Sequence, residues 1–135
     1  MRIAKALLYV SIIAVSPAFP AEAPAKSLTC TTGPLSKALG GTTWLVYACS
    51  DGKSLAIVSD PASPASPFVF FLAAKGATYT ITGEGNGKKS ATKPAFDALT
   101  QMTPTEIVGL HSDVLSAAHA DAAKQPPPNP SLERP

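Results

Sequence analysis

Trp44-Leu45-Val46-Tyr47-Ala48-Cys49-Ser50-Asp51-Gly52-Lys53-Ser54-Leu55-Ala56-Ile57-Val58-Ser59 decides how this chain folds. Two apolar runs, 44–49 and 54–59, flank Asp51-Gly52. A tight hairpin turn wants positive φ, and glycine supplies it at little steric cost. Folding back about Asp51-Gly52 sets Val46 against Ile57 and Ala48 against Leu55 on one face. Leu45 then meets Val58, and Tyr47 meets Ala56, on the other. Both faces are largely apolar, which predicts central strands covered, at least in part, on both sides.

The neighbouring segments extend this hairpin into a sheet. Phe68-Val69-Phe70-Phe71-Leu72 reads as a core strand. Lys75-Gly76 turns the chain, and Tyr79 and Ile81 alternate with threonines, the pattern of a strand with one wet face. Between these hairpins lies Pro61-Ala62-Ser63-Pro64-Ala65-Ser66-Pro67, whose proline spacing suits a stiff polyproline II connector. Upstream, 28–32 reads as a short strand ended by Gly33-Pro34. Residues 35–39 read as a turn of helix before Gly40-Gly41. Downstream of Gly83-Glu84-Gly85-Asn86-Gly87 the period becomes helical. A first helix over 94–102 carries Ala95, Phe96, Leu99 and Met102 along one stripe. Thr103-Pro104-Thr105-Glu106 is a capping box with proline at the first helical position. Ile107, Leu110, Val114 and Ala118 form the second helix's apolar face. Strands first and helices last indicate an α+β domain: an antiparallel β-sheet of about four to five strands followed by two short C-terminal helices.

The first residues set the compartment. Arg2 and Lys5 precede the apolar run 6–15, and Ser16-Pro17 and Ala21-Glu22-Ala23 follow. This is the layout of a secretory signal peptide, 1–23, with the cut between 18 and 25. The run is about half the roughly 20 residues a membrane span needs, so no stable span is expected after cleavage. Cys30 follows Thr29 well past the run, so it is not a lipid-attachment site. The expected organisation is a leader, one small domain over 24–124, and a proline-rich disordered tail over 125–135. A periplasmic or secreted address follows. There the two cysteines, Cys30 and Cys49, read as a structural disulfide. Closing a loop of about 20 residues is worth roughly 3 kcal/mol in the chain-entropy description.

Net charge is +2 over 135 residues, with no block of like charge. Nothing here points to nucleic acid. The loop 83–90 is one residue short of the phosphate-binding Gly-x4-Gly-Lys-Ser spacing and lacks the dinucleotide pattern, so no nucleotide or other cofactor is expected. Its bare glycine amides beside Lys88 and Lys89 leave an anion or a partner's acidic group as its one ligand reading. Otherwise it reads as a mobile sheet-to-helix connection. His111 and His119 are eight apart, about 80° around a helix and about 12 Å along it, unsuited to one metal ion. Both read as surface or boundary residues, and no metal or catalytic set is expected. No nucleophile elbow is present. Asp51 and Asp60 fit turns, and Glu84 has no partner carboxylate at a defined spacing. The strand aromatics read as core.

Tyr47-Ala48-Cys49-Ser50-Asp51-Gly52 with Leu55-Ala56-Ile57-Val58, and later Gly76-Ala77-Thr78-Tyr79, resembles the periplasmic C-type lysozyme inhibitor family over 44–79. That resemblance implies a small secreted or lipid-anchored β-barrel blocking a lysozyme cleft through a Ser-Gly-x-x-Tyr loop. Here Lys75 stands at the serine position. The C-terminal helices and the position of Cys30 depart from the pattern. The chain is also similar to many small exported bacterial proteins, which implies no activity. The reading is therefore a non-enzymatic exported domain binding an unknown protein or envelope component. Its candidate contacts are Asp51, Lys75, Gly76, Tyr79, Glu84, Asn86, Lys88 and Lys89. Alternatives are a lysozyme-type inhibitor acting through the loop 75–79 and a small hydrolase.

Overall fold

A computed structural model describes residues 27–126. The expected leader, and the tail from 127 on, lie outside the described residues. Five strands come first, β1 (Cys30–Leu39), β2 (Thr42–Cys49), β3 (Leu55–Ser59), β4 (Phe68–Lys75) and β5 (Thr78–Gly85). Two helices follow, α1 (Lys89–Thr100) and α2 (Pro104–Lys124). The strands form one antiparallel sheet in sequence order, β1 to β5. The α+β architecture is thus as expected. The second helix is not short, however: it runs for 21 residues.

The central hairpin pairs as its alternation dictates, Val46 with Ile57, Ala48 with Leu55, Leu45 with Val58 and Tyr47 with Ala56. Trp44, Val46, Leu55, Ile57, Phe70 and Leu72 face the helices and are buried with Ala95, Leu99, Ile107, Leu110 and Val114. The Trp44 indole N–H donates to Thr42 Oγ1 at 2.8 Å, and its ring lies 5.0 Å from that of Phe70.

The expectation of cover on both faces is corrected. Leu45, Tyr47, Ala56, Val58, Val69 and Phe71 point the other way and are only half-buried. Both helices pack on the opposite face, so this apolar surface is open among the described residues. Alternation shows which side chains share a face. It does not count the elements available to cover each one.

Three local readings also change. Residues 35–39 belong to β1 rather than to a helical turn, because Leu35, Lys37 and Leu39 alternate along the same face as their cross-strand partners Val46, Trp44 and Thr42. Gly33, at φ +130°, bends the strand where the sequence signals a stop. A methyl group there would come within 2.8 Å of the Val46 carbonyl oxygen and 3.3 Å of Val114 under α2. The 61–67 connector is not polyproline II. Ser63 N–H donates to Asp60 O at 2.9 Å and Ser66 N–H to Ser63 O at 3.0 Å, giving successive turns around a buried Ala65. Helix α1 starts at Lys89, ahead of Pro94, and buries Ala91, Thr92, Ala95 and Leu99. Phe96 sits at the rim, 39% exposed, with its ring 6.1 Å from Phe70.

The disulfide joins Cys30 to Cys49. It fits an oxidising compartment. No helix among the described residues is long and apolar enough to cross a membrane.

Candidate functional site

The β2–β3 and β4–β5 turns lie at the same end of the meander, and the first turns of α2 reach it too. Asp51 organises the first tip. Its Oδ1 accepts from Lys53 N–H at 2.9 Å and Ser54 N–H at 2.8 Å, and its Oδ2 accepts from Ser54 Oγ at 2.5 Å. Ser54 Oγ in turn accepts from Ala74 N–H at 3.0 Å, tying the tip to β4. Gly52 closes the turn at φ +72°, donating to Cys49 O at 3.1 Å. Partial burial pushes the Asp51 carboxyl up. The bonds from Ser54 Oγ, Ser54 N–H and Lys53 N–H, with a smaller electrostatic contribution from His111, outweigh it and hold the carboxyl below its ordinary value. The second tip turns at Gly76, φ +60°, with Thr78 Oγ1 donating to Lys75 O at 3.0 Å.

A cavity of about 440 Å³ opens between these tips and α2. Gly52 and Lys53 line it from one tip, Gly76, Ala77 and Tyr79 from the other, and Pro104, Thr105, Val108 and His111 from the helix. Its walls are mainly apolar, and Lys53 is the cation among its lining residues. Val108, 57% exposed, sits at the helix side. His111 is only 6% exposed, and its Nε2 is buried without a hydrogen-bond partner.

No protein family, curated protein or solved structure matches this chain.

The structure divides the sequence-derived contacts between two ends of the sheet. Asp51, Lys75, Gly76 and Tyr79 gather at the cavity end, and Gly76 and Tyr79 line the cavity itself. Glu84 lies at the other end of β5, in a shallow groove with Val69, Phe71, Thr82 and Gly83 on the open face. Asn86, Lys88 and Lys89 follow it, away from the cavity, with exposed side chains. The loop there is neither a loose connection nor a cradle of free amides. Asn86 N–H donates to Pro67 O at 2.9 Å and Lys88 N–H to Pro64 O at 3.1 Å, and Gly87 packs on the Ala65 backbone.

His111 is corrected from a surface or boundary residue to a buried one, whereas His119 is exposed as expected. The signal was present in the spacing. Position 111 is four after Ile107 and three before Val114, so it falls on the buried stripe. Lys53 and Thr105 were missed because neighbours in space from three separate elements leave no shared sequence pattern.

Ser54, Asp51 and His111 come into one neighbourhood, but not as a nucleophile set. The Ser54 hydroxyl is buried, donates to Asp51 and accepts from the β4 backbone, so it is not presented to the cavity. Among the described residues no three His, Cys, Asp or Glu side chains gather as metal ligands.

Proposed function

We propose that this is a small exported, non-enzymatic binding domain that engages a macromolecular or envelope partner through the cavity between the two hairpin tips and α2. The observation that carries the reading is His111, a buried imidazole lining that cavity with an unpartnered Nε2. Leaving a buried donor or acceptor unpaired costs about 1–3 kcal/mol. Such departures from polar satisfaction concentrate where a protein recognises something. Apolar walls with Lys53 beside them suit a group with an apolar body and an acidic or carbonyl tip. The disulfide supports a periplasmic or secreted setting.

Amide correlation spectra of the mature protein, recorded while soluble peptidoglycan fragments or purified envelope proteins are added, test the reading. A true partner shifts Gly52, Lys53, Gly76, Ala77 and Thr105 together, and His111→Phe abolishes the response. Shifts confined to the opposite end of the sheet, or a response unchanged in His111→Phe, would remove the cavity from consideration.

A second reading, an inhibitor of a lysozyme-type enzyme acting through the loop 75–79, is favoured by one observation. Lys75, Gly76, Ala77 and Thr78 are all exposed on a hairpin tip, with open space around Gly76. Among the described residues the sheet is open, with β1 and β5 as its edges, whereas the resembling family forms barrels. Full lysozyme activity in a large excess of the protein would end this reading.

A further inference from the structure

The two edges of the sheet are built differently. β1 carries Pro34, its register with β2 shifts twice, and α2 lies against it. Proline, bulges and cover are the usual ways of keeping an edge from pairing with another chain. Among the described residues β5 has none of them. Its eight residues run in unbroken register with β4, and it contains no proline. Half the N–H and C=O groups of such a strand point away from its single neighbour.

We propose that β5 is a homodimer seam, along which two copies pair β5 with β5 antiparallel about a twofold axis at Ile81, joining their sheets into one. The strand is self-complementary in that register. Ile81 meets Ile81 of the second copy, and each Thr80 meets a Thr82, so every side chain keeps its face. Each Tyr79 meets a Gly83. That glycine already lies under the Phe68 and Phe70 rings, where a methyl group would approach to 2.9 and 3.0 Å. The incoming tyrosine thus extends an existing aromatic cluster over a position with no side chain of its own. Each Glu84 meets a Thr78, and Thr78 pairs on its other side with Lys75 of β4. The strand ends therefore bring Glu84 of one copy near Lys75 of the other, twice per dimer, with no like charges opposed. The interface is isologous and closed, so pairing stops at two copies.

The alternative occupant of the edge is an extended segment of a different protein. Light scattering and sedimentation equilibrium on the mature, disulfide-intact protein separate the two. A concentration-dependent dimer is expected. The double variant Thr80→Lys, Thr82→Lys opposes lysine to lysine twice on the solvent-facing side. It raises the dimer dissociation constant by about tenfold or more while far-UV circular dichroism stays unchanged. Thr80→Glu, Thr82→Glu is likewise weakened alone, and mixing the two variants restores a mixed dimer. A protein monomeric at every concentration, a dimer indifferent to the lysine variant, or variants that fail to associate on mixing would overturn the seam. So would β5 amides that become protected from exchange only when a foreign chain is added.

Discussion

A single carboxylate holds the β2–β3 tip. Asp51 accepts three hydrogen bonds from Lys53 and Ser54, and through Ser54 it reaches the β4 backbone. Replacing it with alanine strands those donors, the buried Ser54 hydroxyl among them, and lowers stability by about 1–3 kcal/mol in urea unfolding. The pH dependence has a definite sign. The folded carboxyl releases its proton more readily than the unfolded one, whose ordinary value is 3.8. Its contribution is therefore fully present above that value and is lost as pH falls through the lower folded one. Asp51→Asn removes this part of the acid-side slope, and a slope identical to wild type would count against the network. His111 predicts the opposite kind of change. His111→Met replaces a buried polar ring with an apolar chain that needs no partner, so it raises the unfolding free energy by about 1 kcal/mol while weakening partner binding. A destabilised variant would mean that the imidazole already has its partner and that the cavity is not short of one.

The elements differ in how far their sequences specify them. Helix α2 is specified locally. The Thr103 hydroxyl accepts from Glu106 N–H at 3.3 Å, and the Glu106 carboxylate accepts from Thr103 N–H at 2.7 Å. The capping box legible in the sequence is thus formed, and Thr103→Ala is expected to cost about 1 kcal/mol in thermal unfolding. The two bonds from Thr103, backbone first, hold the Glu106 carboxyl below its ordinary value, so the cap weakens as acid protonates it. The β2–β3 register was equally legible, because a loop closing symmetrically about Asp51-Gly52 preserves the pairs whether two residues or four stand outside the ladder. β1 was not. Gly33-Pro34 carries the local marks of a stop, yet a strand that has Val46 beside it and Val114 above it continues through the bend. Tertiary contact overrode turn chemistry there. α1 shows the same override, with Pro94 inside a helix that its period alone would have begun at that residue.

At the scale of the molecule, each strand among the described residues pairs only with its neighbours in sequence, and the helices close one face late in the chain. The site inherits that geometry. A meander puts alternate turns at the same end, so the tips at Gly52 and Gly76 meet there, while the loop 86–88 belongs to the other end. No residue pattern announces this, because it follows from strand order, and the sequence reading grouped contacts that lie at opposite ends. The same meander gives the disulfide its leverage. Cys30 and Cys49 stand opposite each other at the open end of the β1–β2 hairpin, 19 residues apart, while the turn at Gly40-Gly41 closes the other end. The bond therefore secures the one edge strand whose ladder is broken by register shifts, and β1 carries part of the α2 interface. Replacing both cysteines with alanine frees the unfolded chain by about 3 kcal/mol worth of loop entropy. The native strand meanwhile retains its pairing and its contacts with α2. The urea midpoint should fall accordingly, with hydrogen exchange rising first in β1 and only then in β3 and β4. Exchange that rises uniformly across the sheet at the same loss of stability would mean that β1 and the core unfold as one unit, with the bond acting on the unfolded state alone.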